Sequence, residues 1–415
     1  MSAQAFARWA ALAAFLAASP AASQTREVTL DEALRLALAA QPSMVEAEGD
    51  VRIAGADKRS SIGNFLPSIT AGASSGRITS RHDDFSKGFG ASYNLTLFDG
   101  FSRIASRRIA VANAEAADAG LRGERFQVIL ETKEIFYAEA ASEDLMRVAE
   151  AQVARATEQL NVANDKFQAG SGVTSDTLRA TVELGTAQMS LIRAQAANSA
   201  AMALLARQIG EHGLVRARRD ETMPVPPDTT EVRQLSRTES PDVLVTEANA
   251  RAAEAGVTSA RSLYWPSLGV SAGDDWFAPT MDDDYTHSSS VMFSLGWTIF
   301  DGFDREGEQV RADVQRDAAN ARAADTRRLV DAEVTRQMAL LNAAYRQIEI
   351  ATLNVAAANE DFRVQSERYR LGVATSLDLT TTQENLTEAE VDLIQARFDY
   401  LIARAELEAL VGREL

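Results

Sequence analysis

Two hydrophobic periods divide this chain. Phe89, Ala91, Tyr93, Leu95 and Leu97 alternate with Gly90, Ser92, Asn94 and Thr96. A cleaner copy has Val291, Phe293, Leu295, Trp297 and Ile299 between Met292, Ser294, Gly296 and Thr298. A period of two predicts strands over about 89–98 and 291–300, each with one apolar face and one polar or small face. Weaker partner strands are predicted at about 68–77 and 267–277, with polar loops between partners. A tilted strand of ~9–11 residues is what a bilayer crossing needs. Aromatics gather at both ends. Phe65, Phe98, Tyr264, Trp265 and Phe300 lie on one side, and Phe85, Phe89, Trp276 and Phe277 on the other. That is the girdle expected at two membrane–water interfaces.

Elsewhere the period is helical. Val334, Leu341, Ile348, Val355, Phe362 and Tyr369 recur every seventh residue, as do Leu379, Leu386, Leu393, Tyr400 and Leu407. Met146, Val153, Leu160 and Phe167 keep the same frame earlier in the chain. A strict seven-residue repeat predicts left-handed coiled coils. The stretch from Phe101 to Gln168 would be about 100 Å long as one helix, at ~1.5 Å per residue. It far exceeds a bilayer core of ~30 Å, so these helices project into solution. Shorter helices open each half. Thr29 with Glu32, and Ser43 with Glu46, match a capping box. Ser240 before Pro241 reads as a cap followed by proline at the first helical position.

The pattern occurs twice. Phe98-Asp99-Gly100-Phe101 returns as Phe300-Asp301-Gly302-Phe303. At the same offset Phe167, Gly170, Asp176 and Gly210 return as Tyr369, Gly372, Asp378 and Gly412. Two copies of a roughly 200-residue unit point to tubes, arrays or transporters before enzymes. The predicted organisation is a signal peptide at 1–23, a first repeat at 24–210 with a helical hairpin at 101–209, a linker at 211–228, and a second repeat at 229–415 with a hairpin at 303–411.

Composition narrows the classes. Residues 1–23 carry one charge, Arg8, an apolar stretch and small residues at Ala21-Ala22-Ser23. They read as a secretory signal, too short in its apolar run to span a bilayer. The chain has no cysteine, so disulfides and thiolate metal sites are excluded. A net charge of -17 disfavours nucleic acid as a partner. No nucleophile elbow, phosphate loop or zinc motif occurs, and neither an enzyme nor a cofactor or metal is expected. His82-Asp83-Asp84 and Asp282-Asp283-Asp284 with His287 read as solvated loops.

Four strands per chain cannot close a barrel, and lipid does not tolerate an open edge. Transmembrane strands would therefore be shared among copies. Two chains give eight strands, an interior filled by side chains, whereas three give twelve and leave a lumen. The small polar faces suit a wet interior, which favours three. A soluble periplasmic coiled-coil scaffold shares the heptads but has no use for aromatic-ended alternating strands.

On these features the chain resembles the outer-membrane efflux protein family of the TolC type. The duplicated Leu97 to Phe101 and Ile299 to Phe303, with the turns Lys166 to Asp176 and Arg368 to Asp378, carry the resemblance along the whole chain after the signal. It implies a fold of mixed α and membrane β: a homotrimer with one 12-stranded β-barrel continued by a long α-helical coiled-coil barrel. It implies an outer-membrane location with a large periplasmic extension. The function implied is the exit duct of a tripartite efflux or type I secretion system. The partners implied are a periplasmic adaptor, an inner-membrane transporter and outer-membrane lipid.

The turns at Gly170 and Gly372 are the expected periplasmic tip. Glycine there allows the left-handed residue that ends a helix. Thr174 and Ser376 are the expected caps of the following helices, with Asp176 and Asp378 near the positive ends. The resemblance implies that the tip is a gate and an adaptor contact, that Asp378 belongs to an acidic constriction ring, and that Tyr369 links to Asp176 in the closed state. An arginine that assists this link in the family falls on Ala374, and a second ring carboxylate on Thr381. Asp99 and Asp301 are the expected N-caps at the strand-to-helix junction, with Gly100 and Gly302 easing the bend.

Overall fold

A computed structural model describes residues 26–77, 85–219 and 223–415. The signal-peptide expectation at 1–23 and the loop residues His82, Asp83 and Asp84 lie outside the described residues.

In chain order the elements are β1 (Arg26–Val28), α1 (Leu30–Ala40), α2 (Pro42–Gly63), β2 (Ser68–Arg77), β3 (Phe85–Asp99), α3 (Ser102–Gln168), α4 (Thr174–Gln208) and β4 (Val215–Ala217). The second half continues with α5 (Thr229–Glu239), α6 (Pro241–Ser262), β5 (Ser267–Ala278), β6 (Thr286–Gly296), α7 (Asp304–Arg370) and α8 (Ser376–Val411). Both α3 and α7 are 67 residues long. The described residues divide into two compact units, one of 26–44, 125–219, 223–232 and 333–415, the other of 45–77, 85–124 and 233–332.

The second of these units holds an antiparallel sheet in the order β2-β3-β5-β6. Residues paired across neighbouring strands share a face. Pairing of Ile69 with Tyr93, Ala91 with Asp274, and Val270 with Phe293 assembles one mostly apolar face. Pairing of Thr70 with Ser92, Asn94 with Ser271, and Gly273 with Ser290 assembles a small, polar one. At one end of the apolar face Trp276 stacks between Phe89 and His287, with centroids 5.1 and 4.6 Å away. Phe277 pairs with Gly88 and so faces the other way.

Strand ends differ from the sequence pattern where partners decide them. β3 continues to Asp99 because β5 supplies Ser267 opposite it. β6 stops at Gly296, short of the expected 300, because its last partner, Ser267, is the first residue of β5. Trp297 to Phe300 alternate like a strand but have no strand partner among the described residues.

The first unit is a packed set of helices. Val334, Leu341, Tyr369, Leu379, Leu386, Tyr400 and Leu407 are buried, whereas Ile348, Val355, Phe362, Leu393, Met146, Val153 and Leu160 are half-buried and Phe167 is exposed, so the seven-residue pattern marks a core seam only in part. Buried alanines at Ala149, Ala156 and Ala163, and at Ala389, Ala396 and Ala403, continue it at the same spacing. A methyl side chain lets neighbouring helix backbones approach closely.

β1 and β4 form a short parallel pair, Val28 opposite Ala217. The fully buried Glu139 anchors it, its Oε2 accepting from the Ala217 N–H at 2.8 Å. Its other oxygen has no hydrogen-bond partner among the described residues. Burial pushes the carboxyl up to about 7, against the smaller downward pull of the Ala217 N–H and of Arg216 and Arg219.

Helix starts depart from the expected capping boxes. Thr29 accepts from the Glu32 N–H, but the Glu32 carboxylate pairs with Arg26 rather than closing the box. α2 begins at Pro42, a residue whose fixed φ and missing N–H suit the first position, so Ser43 is already inside the helix. Ser240 does occupy the cap of α6, yet its hydroxyl makes no capping bond.

Candidate functional site

The two helical turns lie within one unit. After α3, Gly170 has φ +73°. Its N–H donates to the Phe167 carbonyl at 3.0 Å, and the Ser171 N–H to the Lys166 carbonyl at 2.9 Å. After α7, Gly372 has φ +79°, with matching bonds from Gly372 to Tyr369 and from Val373 to Arg368. These are paired Schellman closures, which satisfy the last free carbonyls of each helix. A Cβ at either glycine would meet nothing within 4 Å, so backbone conformation alone selects glycine.

The helices that follow begin differently. The caps are Val173 and Thr375, one residue before the expected Thr174 and Ser376. Thr375 forms a complete capping box. Its Oγ1 accepts from the Asp378 N–H at 3.2 Å, while Asp378 Oδ2 accepts from the Thr375 N–H at 3.0 Å and from its hydroxyl at 2.8 Å. Those bonds hold the Asp378 carboxyl below its ordinary value, with Arg368 adding a smaller pull. Val173 has no hydroxyl, and no side chain caps α4.

Asp176 is thereby left for another partner. Its Oδ1 accepts from Ser376 Oγ at 3.2 Å, across to the other hairpin. Arg179 Nη1 donates to the same Ser376 oxygen at 3.0 Å. Beside it, Lys166 donates to the Tyr369 carbonyl, and its ammonium lies 3.8 Å from the Tyr369 ring centroid. Burial lowers the Lys166 ammonium, partly countered by Asp176, and raises the Tyr369 phenol, with Asp176 adding to the rise. Tyr369 thus feels the Asp176 charge, and the hydrogen bond to Asp176 comes from Ser376. Tyr369 is 4% exposed, whereas its counterpart Phe167 is 48% exposed.

The other candidate residues form two strand-to-helix corners. Asp99 closes β3 and Gly100 follows at φ +66°, with Phe101 also left-handed at +75°. A Cβ on Gly100 would come within 2.4 Å of the Ser262 carbonyl, so only glycine passes there. From three residues before the helix, Asp99 Oδ2 accepts from the Arg103 N–H at 3.1 Å and from its guanidinium at 2.9 Å. Arg103 also donates to the Asn64 and Leu97 carbonyls and lies over the Phe65 ring at 5.0 Å. The second corner repeats the bonds and the ring contact with Asp301, Arg305 and Tyr264, and Gly302 has φ +73°, although a Cβ there would meet nothing within 4 Å. Arg305 donates to the Thr298 and Ile299 carbonyls. Sequence reasoning passed over both arginines, although they recur at the offset that joins the two Phe-Asp-Gly-Phe motifs.

Among the described residues no group of three or more His, Cys, Asp or Glu could hold a metal ion. No described helix is long and apolar enough to cross a membrane.

The family model for outer membrane efflux proteins matches residues 33–211 and 232–413 separately, one match to each repeat. The alkaline protease secretion protein AprF of Pseudomonas aeruginosa is 24% identical over 76% of this chain and 67% of its own length. The protein CyaE of Bordetella pertussis is 26% identical over 94% of this chain and 83% of its own. The crystal structure of the outer membrane protein VceC from Vibrio cholerae superposes with a TM-score of 0.79 at 16% identity. It covers 92% of this chain and 96% of VceC.

Proposed function

The chain belongs to the outer membrane efflux protein family, and on that premise we propose that three copies close their four-stranded sheets into one twelve-stranded barrel. It is an outer-membrane channel of a tripartite efflux or type I secretion system. As the outer-membrane component it works with a periplasmic adaptor and an inner-membrane transporter.

The observation that carries the trimer is the open sheet. β2 and β6 each have one strand edge with no partner among the described residues. Lipid offers no hydrogen bonds to such an edge, so it must pair with another copy. Ile69, Val291 and Phe293 on the apolar face are 64%, 69% and 71% exposed, a surface suited to lipid. Turning that face outward leaves the serines, glycines, Thr70 and Asn94 to line a wet lumen. The long helices α3 and α7 then carry the passage into the periplasm.

Gly170, Asp176, Tyr369, Gly372 and Asp378 form the periplasmic gate and adaptor contact. The Asp176–Ser376 and Arg179–Ser376 bonds and the Lys166–Tyr369 contact tie one hairpin to the other, and weakening any of them favours opening. Asp378, held by its own cap, offers its exposed charge to the entrance. Asp99, Gly100, Asp301 and Gly302 turn the chain from barrel into tunnel. The test is the mass of the detergent-extracted complex. Three chains per particle are expected; a monomer or dimer with full conductance would overturn the twelve-stranded reading.

A further inference from the structure

Asp274 and Asp275 are sequence neighbours, and the pleat sends them to opposite faces of the sheet. Asp274 pairs with Ala91 on the apolar face, where its Oδ1 lies 3.3 Å from the His287 ring beside Trp276. Asp275 pairs with Gly90 and Ser288 on the small, polar face. Across the described pairing that face otherwise carries serine, threonine, glycine, Asn94, Met292 and Phe277, none of them charged, and at its far end Asp99, whose carboxylate is paired with Arg103. Among the described residues no hydrogen bond or ion pair holds the Asp275 carboxylate, and the residue is exposed.

Gly90 is matched to this carboxylate. A Cβ there would lie 2.2 Å from Asp275 Oδ1 and 2.9 Å from the Asp274 carbonyl. Any larger residue opposite Asp275 would push the carboxylate from its place. Gly88 and Gly90 thus leave an open patch of backbone beneath the one carboxylate of this face that has no partner among the described residues.

We infer that Asp275 sets the ionic preference of the barrel lumen. This rests on the barrel reading above, with the polar face inward. Symmetry then places one carboxylate per copy at a single height, an acidic ring in an otherwise neutral wall. Such rings concentrate small cations and repel anions. Free inorganic cations are the species it favours, and anionic solutes the species it retards.

The test is the reversal potential of the reconstituted protein under a KCl gradient. Asp275→Asn should lower the cation-to-anion permeability ratio about threefold near 0.01 M salt and hardly at all near 1 M, because the screening length falls from ~30 Å to ~3 Å. Asp275→Cys gives a single thiol in a chain without cysteine. A negatively charged thiol reagent should restore cation preference, and a positively charged one should reverse it. A cation-preferring channel whose ratio ignores both substitutions would overturn the ring while leaving the duct intact. A purified protein that never conducts would overturn the duct reading and the ring with it.

Discussion

At the turn after α7, Asp378 bonds the backbone and hydroxyl of Thr375 within its own helix start. At the matching turn after α3, Asp176 reaches Ser376 of the other hairpin. The turns share their glycine closure and their aspartate, and one residue separates their behaviour. Thr375 has a hydroxyl to complete a capping box, and Val173 has none. The aspartate of the second copy serves its own helix start, and that of the first makes a contact between hairpins. The repeats diverge again where Glu139 stands against its counterpart Leu341. Both are fully buried, but only the first copy meets the β4 strand whose N–H it binds.

The largest expected effect exploits that second divergence. Glu139 keeps its proton in the folded chain up to pH about 7. Below the ordinary carboxylate range both folded and unfolded chains carry that proton. Between that range and pH 7 only the folded chain does, so rising pH favours unfolding. Thermal melts should show Glu139→Gln losing roughly 3 kcal/mol of pH-dependent destabilisation across that window, giving a flatter profile than the unsubstituted protein. An unchanged slope would remove Glu139 as its source.

Next come the shared closures. Gly170→Ala and Gly372→Ala should each cost about 1–2 kcal/mol, since a left-handed alanine is strained although space is free. Equal losses are expected, because this feature did not diverge. A melt in which one variant is neutral would break the symmetry.

Exchanging the caps sharpens the contrast further. Thr375→Val should cost about 1 kcal/mol of helix stability. Val173→Thr offers Asp176 a box of its own and should gain a few tenths to about 1 kcal/mol. Recruiting Asp176 away from Ser376 should at the same time raise conductance, so stability and gating move in opposite senses. Smallest of all, Tyr369→Phe should change conductance little, because the lysine contacts use the Tyr369 ring and backbone carbonyl.

Much of this was legible in the sequence. Alternation marked the strands because one face is mostly apolar and the other small and polar. The seven-residue pattern marked part of the seam, and Tyr400 and Leu407 at its end are fully buried. Features set by distant partners were not legible. β6 ends where β5 begins, which no residue at 297–300 records. The pairing of Arg26–Val28 with Val215–Ala217 is too short to show a period. The caps fell one residue early, since Thr174 and Ser376 look as suitable as Thr375 until the backbone is seen. The bond of Asp176 to Ser376 and the contact of Lys166 with Tyr369 join residues about 200 positions apart, and no local pattern announces either.

The most direct test of the divided roles is single-channel conductance of the purified protein in a planar bilayer, comparing Asp176→Ala with Asp378→Ala. Asp176→Ala should raise the open conductance severalfold by parting the hairpins, and Asp378→Ala should leave the gate closed. Equal behaviour of the two variants, or no rise with Asp176→Ala, would contradict a latch carried by the first repeat.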